Sequence, residues 1–210
     1  MSGDLLVAFA VVLPLLLVSL VVHELAHGWV AALLGDPTAR EQGRLSPNPL
    51  RQLDPLGTGV LVLTFLGSGG TFFFGWARPV PISPWRFRDP QRGMMAVGAA
   101  GPASNVGLAL LAAGGVWLTF DAVPLLADVL TLVFVLNVVL ATLNLIPIPP
   151  LDGSRVLGGL LPRSVWPRWM SLDRYGNFVF ILLFVVLIGR PELFERTIGR
   201  VLDWALALLP

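Results

Sequence analysis

The sequence predicts an all-α polytopic membrane protein. Its parts are a core of three transmembrane helices, a re-entrant hairpin or short β-strands, one further C-terminal span and an amphipathic C-terminal helix. Three observations carry that prediction. Of the 210 residues, 55% are hydrophobic and 13% charged, whereas a soluble domain averages about 25% charged residues. Several apolar runs approach or exceed the roughly 20 residues that a helix needs to cross a bilayer. Arginine, which supplies all 14 basic residues, concentrates in three of the loops between those runs. Residues 1–210 read as a single domain, too short to add a soluble module to a membrane core. A net charge of +1 carries no signal about partners. The lipid bilayer is the expected surrounding, and no nucleic acid is expected. With no cysteine, disulfides and thiolate metal sites are excluded.

Leu5 to Leu34 is the first apolar run, about 45 Å long if helical and longer than the roughly 30 Å hydrocarbon core. It has no basic leading segment, so it does not read as a cleaved signal peptide. Pro14 is placed to kink it, and Gly35-Asp36-Pro37 to end it. Residues 36–56 form a polar loop with Arg40, Arg44 and Arg51. Gly57 to Phe74 is apolar but interrupted by Gly67-Ser68-Gly69-Gly70. Each piece, about ten residues, is too short to span as a helix. That predicts a re-entrant hairpin or a pair of short strands lining a cavity.

Residues 75–93 are an extended loop rich in arginine and proline. Met94 to Phe120 is the second span, and small residues from Gly98 to Pro102 allow close helix packing. Asn105 inside it predicts an interhelical hydrogen bond, with substrate contact as the other reading. Val123 to Ile146 is the third span, and Tyr175 to Gly189 is a fourth, short run. From Pro191, charged residues recur at helical spacing opposite Leu193, Phe194, Val201, Leu202 and Leu208. This predicts an amphipathic helix at the membrane interface or a poor final span. The arginine-rich loops at 36–56, 75–93 and 154–174 are predicted cytoplasmic, and the turn at Asp121 external. The protein is thus expected in the cell membrane, multi-pass, with its chemistry toward the cytoplasmic side.

That chemistry centres on His23-Glu24-Leu25-Ala26-His27, which holds the only two histidines of the chain. Residues four apart on a helix lie on one face, so both imidazoles can share a metal ion, most often Zn²⁺. Glu24 points aside, where it can hold a water on that metal. A catalytic zinc needs a third protein ligand and one open position. Without cysteine or further histidine, that ligand must be a carboxylate. Asp4, Asp121, Asp128 and Asp203 fall at the external side or the far C-terminus, and Asp36 and Asp54 at loop ends. Asp152 follows Pro147, Pro149 and Pro150, which prevent a regular helix, and precedes Gly153, which permits a tight turn. Together they can swing its carboxylate back into the bundle.

His23-Glu24-Leu25-Ala26-His27, then Gly101-Pro102-Ala103-Ser104-Asn105, then Asn144 to Gly153 resembles the site-2 protease family of intramembrane zinc metalloproteases, in a form without PDZ or CBS domains. The resemblance covers roughly residues 15 to 160. It implies one zinc per chain on His23, His27 and Asp152, with Glu24 as general base and acid. It also implies Asn144 as the group that contacts substrate or the oxyanion. The implied substrates are transmembrane segments of other proteins, cut within the bilayer. A transmembrane helix hides its carbonyls, so such a substrate must unwind, and the 57–74 segment is a place to hold it extended. Two other readings are a metal transporter and a catalytically dead scaffold. A transit site has no use for a non-ligating carboxylate at Glu24, and the intact set of four residues opposes the scaffold. The oligomeric state is left open.

Overall fold

The structure is a computed structural model and describes residues 3–69 and 75–210. Among the described residues, three helices are long and apolar enough to cross a membrane: α1 (Gly3–Leu33), α4 (Pro90–Thr119) and α5 (Pro124–Asn144). Between α1 and α4 lie α2 (Thr38–Glu41) and α3 (Pro55–Gly67). After α5 come α6 (Asp152–Leu160), α7 (Trp166–Met170) and α8 (Gly176–Gly189). The chain closes with α9 (Pro191–Phe194), a π-helical turn at Glu195–Gly199, and α10 (Arg200–Leu206).

Helix α4 is the centre of the bundle and packs against α1, α5 and α6. Its composition explains why: Gly93, Gly98, Gly101, Ala109 and Ala112 are all buried and let neighbouring backbones close in. Helix α1 stays helical through Pro14. Val7, Val11, Val18, Trp29 and Leu33 on its outer side are exposed, as expected of side chains meeting lipid rather than protein.

The 57–74 segment differs from the strand expectation. Among the described residues, its first part is helix α3, and residues 70–74 lie outside them. The local signal for a helix start is Asp54-Pro55: the Asp54 carboxylate accepts the Gly57 N–H at 2.8 Å, and Pro55 takes the first helical position. Helix α3 buries Leu61 in a cluster with Leu16 and Leu136. Among the described residues, the one extended pairing is an isolated antiparallel bridge between Leu53 and Ala77, extended by the Arg78 N–H donating to Gln52 O at 2.7 Å.

The C-terminal segment packs on the bundle. Ala205 is buried with Ala109, Ala112 and Phe134, and Trp117 Nε1–H donates to Leu208 O at 3.0 Å. The alanines of α4 leave a shallow face that this segment fills. Helix α8 has 14 residues, about 21 Å of rise, against a hydrocarbon core of about 30 Å.

Two features position the site. Helix α5 ends at Asn144, and α6 opens on Asp152 and packs back onto α4. Gly153 makes this possible by close approach: a Cβ there would lie 2.2 Å from Leu145 O and 2.6 Å from Ile146 O. No left-handed backbone is involved, because Gly153 is not among the glycines with positive φ. The second feature is the extended stretch from Trp76 to Ser83, tied down at both ends. The Ser83 N–H donates to the buried Asp36 carboxylate at 2.6 Å, and Asp36 also accepts the Thr38 N–H and hydroxyl.

Candidate metal centre

His23 and His27 are buried on the face of α1 that meets α4, and Asp152 is buried at the first turn of α6. The Asp152 Oδ2 atom lies 3.0 Å from His23 Nε2 and 3.1 Å from His27 Nε2, and the two Nε2 atoms are 3.0 Å apart. Among the described residues, this is the one group of three histidines or acids whose ligand atoms converge. The other oxygen, Oδ1, has a long ion pair to Arg155 Nη1 at 3.5 Å.

The surroundings decide which nitrogens carry protons. His27 Nδ1 lies 2.6 Å from Val97 O. A carbonyl can only accept, so His27 donates from Nδ1, and in the neutral ring its Nε2 presents a lone pair. For His23 the inference runs through three side chains. The Asn137 amide donates to Val133 O at 2.8 Å and to Ser19 Oγ at 2.9 Å, so its Oδ1 faces Asn105 as an acceptor. Asn105 donates to that oxygen at 2.8 Å and therefore turns its own Oδ1 toward His23 Nδ1, 2.6 Å away. His23 then donates from Nδ1, and its Nε2 is also a lone pair. Two imidazole nitrogens and a carboxylate oxygen thus face one another at about 3 Å. With both imidazoles neutral, that arrangement is repulsive unless a cation lies among them. Nitrogen and oxygen donors in a buried site with both distal nitrogens hydrogen-bonded are the chemistry zinc takes, so the residues present fit the metal.

Helix α4 makes room for this. A Cβ on Gly101 would stand 2.5 Å from His23 Cε1 and from His27 Nε2. On Gly98 it would meet Arg155 Cβ at 2.7 Å and Asp152 O at 3.0 Å. The small residues that the sequence marks for close helix packing leave the volume that the imidazoles and α6 occupy.

Glu24 is half-buried, and its Oε2 accepts the Val80 N–H at 3.0 Å. Asn144, in contrast, donates to Leu140 O of its own helix at 2.9 Å. The structure therefore brings together His23, His27 and Asp152, places Glu24 against the extended stretch, and leaves the Asn144 amide bonded within α5. Asn105 makes the expected interhelical bonds, one of them to His23. Sequence reasoning passed over Asn137, Ser19 and the Val97 carbonyl. A signal for Asn137 was present, because an amide in the middle of an apolar span needs a buried partner.

The comparisons agree on one family. A model described as peptidase family M50 matches residues 121–188. The chain is 40% identical over 182 residues to a protein named putative zinc metalloprotease YwhC of Bacillus subtilis, covering 83% of this chain and 80% of that one. It is 34% identical over 177 residues to one named putative zinc metalloprotease Rip2 of Mycobacterium tuberculosis, covering 83% of this chain and 66% of that one. A Rip2 of Mycolicibacterium smegmatis is 31% identical over 181 residues, covering 86% and 67%. No solved structure matches.

Proposed function

We propose, since this chain belongs to peptidase family M50, the site-2 protease family of zinc metalloproteases, that it is an endopeptidase cutting transmembrane segments of other proteins within the bilayer. The observation that carries this reading is the buried convergence of two imidazole nitrogens and a carboxylate oxygen one residue away from a carboxylate that is not among them. His23, His27 and Asp152 hold the zinc. Bound there, zinc supplies Lewis acidity that lowers the pKa of a water toward about 7 and polarises the scissile carbonyl.

The chain's own residues do the rest. Glu24 is the general base and acid. The Val80 N–H holds Oε2 and leaves Oε1 to take a proton from the attacking water and return it to the departing nitrogen. The Asn105 and Val97 acceptors keep both imidazoles in the tautomer that presents Nε2. Asn144 contacts the substrate or the oxyanion after giving up its bond to Leu140 O. The protein sits in the cell membrane with the site toward the cytoplasm, because the arginine-rich loops adjoin the ends of α1 and α5 that carry His27 and lead to Asp152. A membrane-embedded substrate enters from the surrounding lipid.

The test is cleavage of transmembrane reporter segments by detergent-purified protein, with its zinc measured by elemental analysis. Glu24→Gln should keep one zinc per chain and lose cleavage. Retained cleavage refutes the protease reading, and loss of the metal would make Glu24 a ligand instead. Since the chain has no cysteine, single cysteines at Arg163 and Asp121 report sidedness to an impermeant thiol reagent. Labelling of the Asp121 position from the cytoplasmic face would reverse the topology.

A further inference from the structure

A cavity of about 80 Å³ lies between α1, α3 and the extended stretch, and its walls include Leu17, Leu20, Val21, Leu61, Trp76 and Ala77. Its α1 wall follows the spacing of one helix face, and Glu24 is the next residue in that series, three after Val21 and four after Leu20. One turn, about 5.4 Å, separates this wall from the carboxylate. The opposite wall leads to the same place, because Ala77 and Val80 belong to one extended stretch and the Val80 N–H is bonded to Glu24.

The Gln52 amide at the cavity's edge is already satisfied. Gln52 donates to Arg44 O at 3.1 Å and Ser46 O at 3.4 Å, and its oxygen accepts from Arg44 Nη2 at 3.0 Å. Thr58 and Trp76 are the other lining side chains with a polar atom, and the remaining named walls are aliphatic. Size narrows the choice further, since a cavity of about 150 Å³ is what admits benzene. The space one turn from Glu24 matches a branched aliphatic group more closely than a ring.

We propose that this cavity is the specificity subsite for the substrate side chain flanking the scissile bond, and that it selects valine, leucine or isoleucine over aromatic residues. The proposal rests on the protease reading. It follows from the cavity's place on the Glu24 face, its fixed back wall at the Leu53–Ala77 bridge and its apolar lining.

The test uses the full-length protein in detergent, a library of apolar peptides and mass-spectrometric mapping of cut sites, with Glu24→Gln subtracted as background. Wild type should favour aliphatic over aromatic residues on one side of the cut by about tenfold, the size of effect one hydrophobic pocket supplies. Leu61→Ala widens the cavity and should raise use of phenylalanine relative to leucine about tenfold. Ala77→Leu fills it and should shift preference toward alanine. The filling variant decides the matter if the widening one does not fold. Equal change at all peptides, as expected if the gap holds a lipid chain, would overturn the subsite while leaving the protease reading intact. Absence of any Glu24-dependent cutting would refute the protease reading and the subsite with it.

Discussion

The two halves of helix α4 solve different packing problems. Its first half, from Gly93 to Asn105, meets α1 and α6 through glycines and a buried amide. Its second half, from Ala109 to Trp117, meets Phe134 and Ala205 through apolar contact, with one hydrogen bond from Trp117 to Leu208 O at its end. In the first half the close approaches are to specific neighbours, so a single added carbon at Gly101 collides with His23 and His27 of the proposed metal site. In the second half only volume is set, and such interfaces absorb small changes by repacking. The lesson is that one continuous helix carries a rigid, polar, site-forming end and a tolerant, structural end.

The largest expected break of this contrast is Gly101→Val. Its first added carbon would stand 2.5 Å from both imidazoles, so zinc content in the purified protein should fall to background and cleavage with it. Full zinc in that variant would mean the histidines can move aside. Next comes the amide relay. Asn105→Leu removes the acceptor that fixes His23, and zinc affinity measured against a competing chelator should drop about 10–100-fold. Asn137→Leu acts one step further away, so its affinity loss should be smaller. Its main effect should be on thermal stability in detergent, about 1–3 kcal/mol for the Asn105 donor left without its acceptor. An equal affinity loss in both variants would mean that the relay acts as a single unit.

In the second half of the helix, Ala112→Gly should cost about 1 kcal/mol of stability and leave zinc affinity unchanged. A change in affinity there would erase the distinction between the halves. The smallest effect belongs to Asp89, which caps α4 outside the membrane. Its carboxyl is held below the usual range, first by the Arg92 backbone N–H and also by the Arg163 and Arg92 guanidinium groups. A lowered folded-state pKa contributes stability above the unfolded pKa and loses it as pH falls through the folded value. Asp89→Asn should therefore destabilise slightly at neutral pH, and the difference from wild type should vanish in acid.

How much of this was legible depended on whether a feature declares its partner locally. The two histidines four apart do so, and elimination among few acids reached Asp152, because both depend on spacing and on scarcity. Asn105 was legible as an interhelical donor but not as the acceptor of His23, since that needs the register of α1 against α4. Asn137 and Ser19 become meaningful only once three helices are assembled. Gly153 was legible as a required glycine for the wrong reason: its chain neighbourhood read as a turn, whereas its function is to let Leu145 O come within contact distance. Helix α3 was missed because the glycine-rich end of its segment outweighed the Asp54-Pro55 start signal at the other.

The placement of Asp152 on a separate helix, far down the chain from His23 and His27, sets an order of events during biogenesis. Helix α1 enters the membrane first, carrying two imidazoles and no carboxylate beside them. Helices α4 and α5 must follow before Asn105, Asn137 and finally Asp152 are in place. A nascent chain that stops short of Asp152 therefore carries only the two imidazoles of the proposed metal site, and the third group of the set arrives with α6.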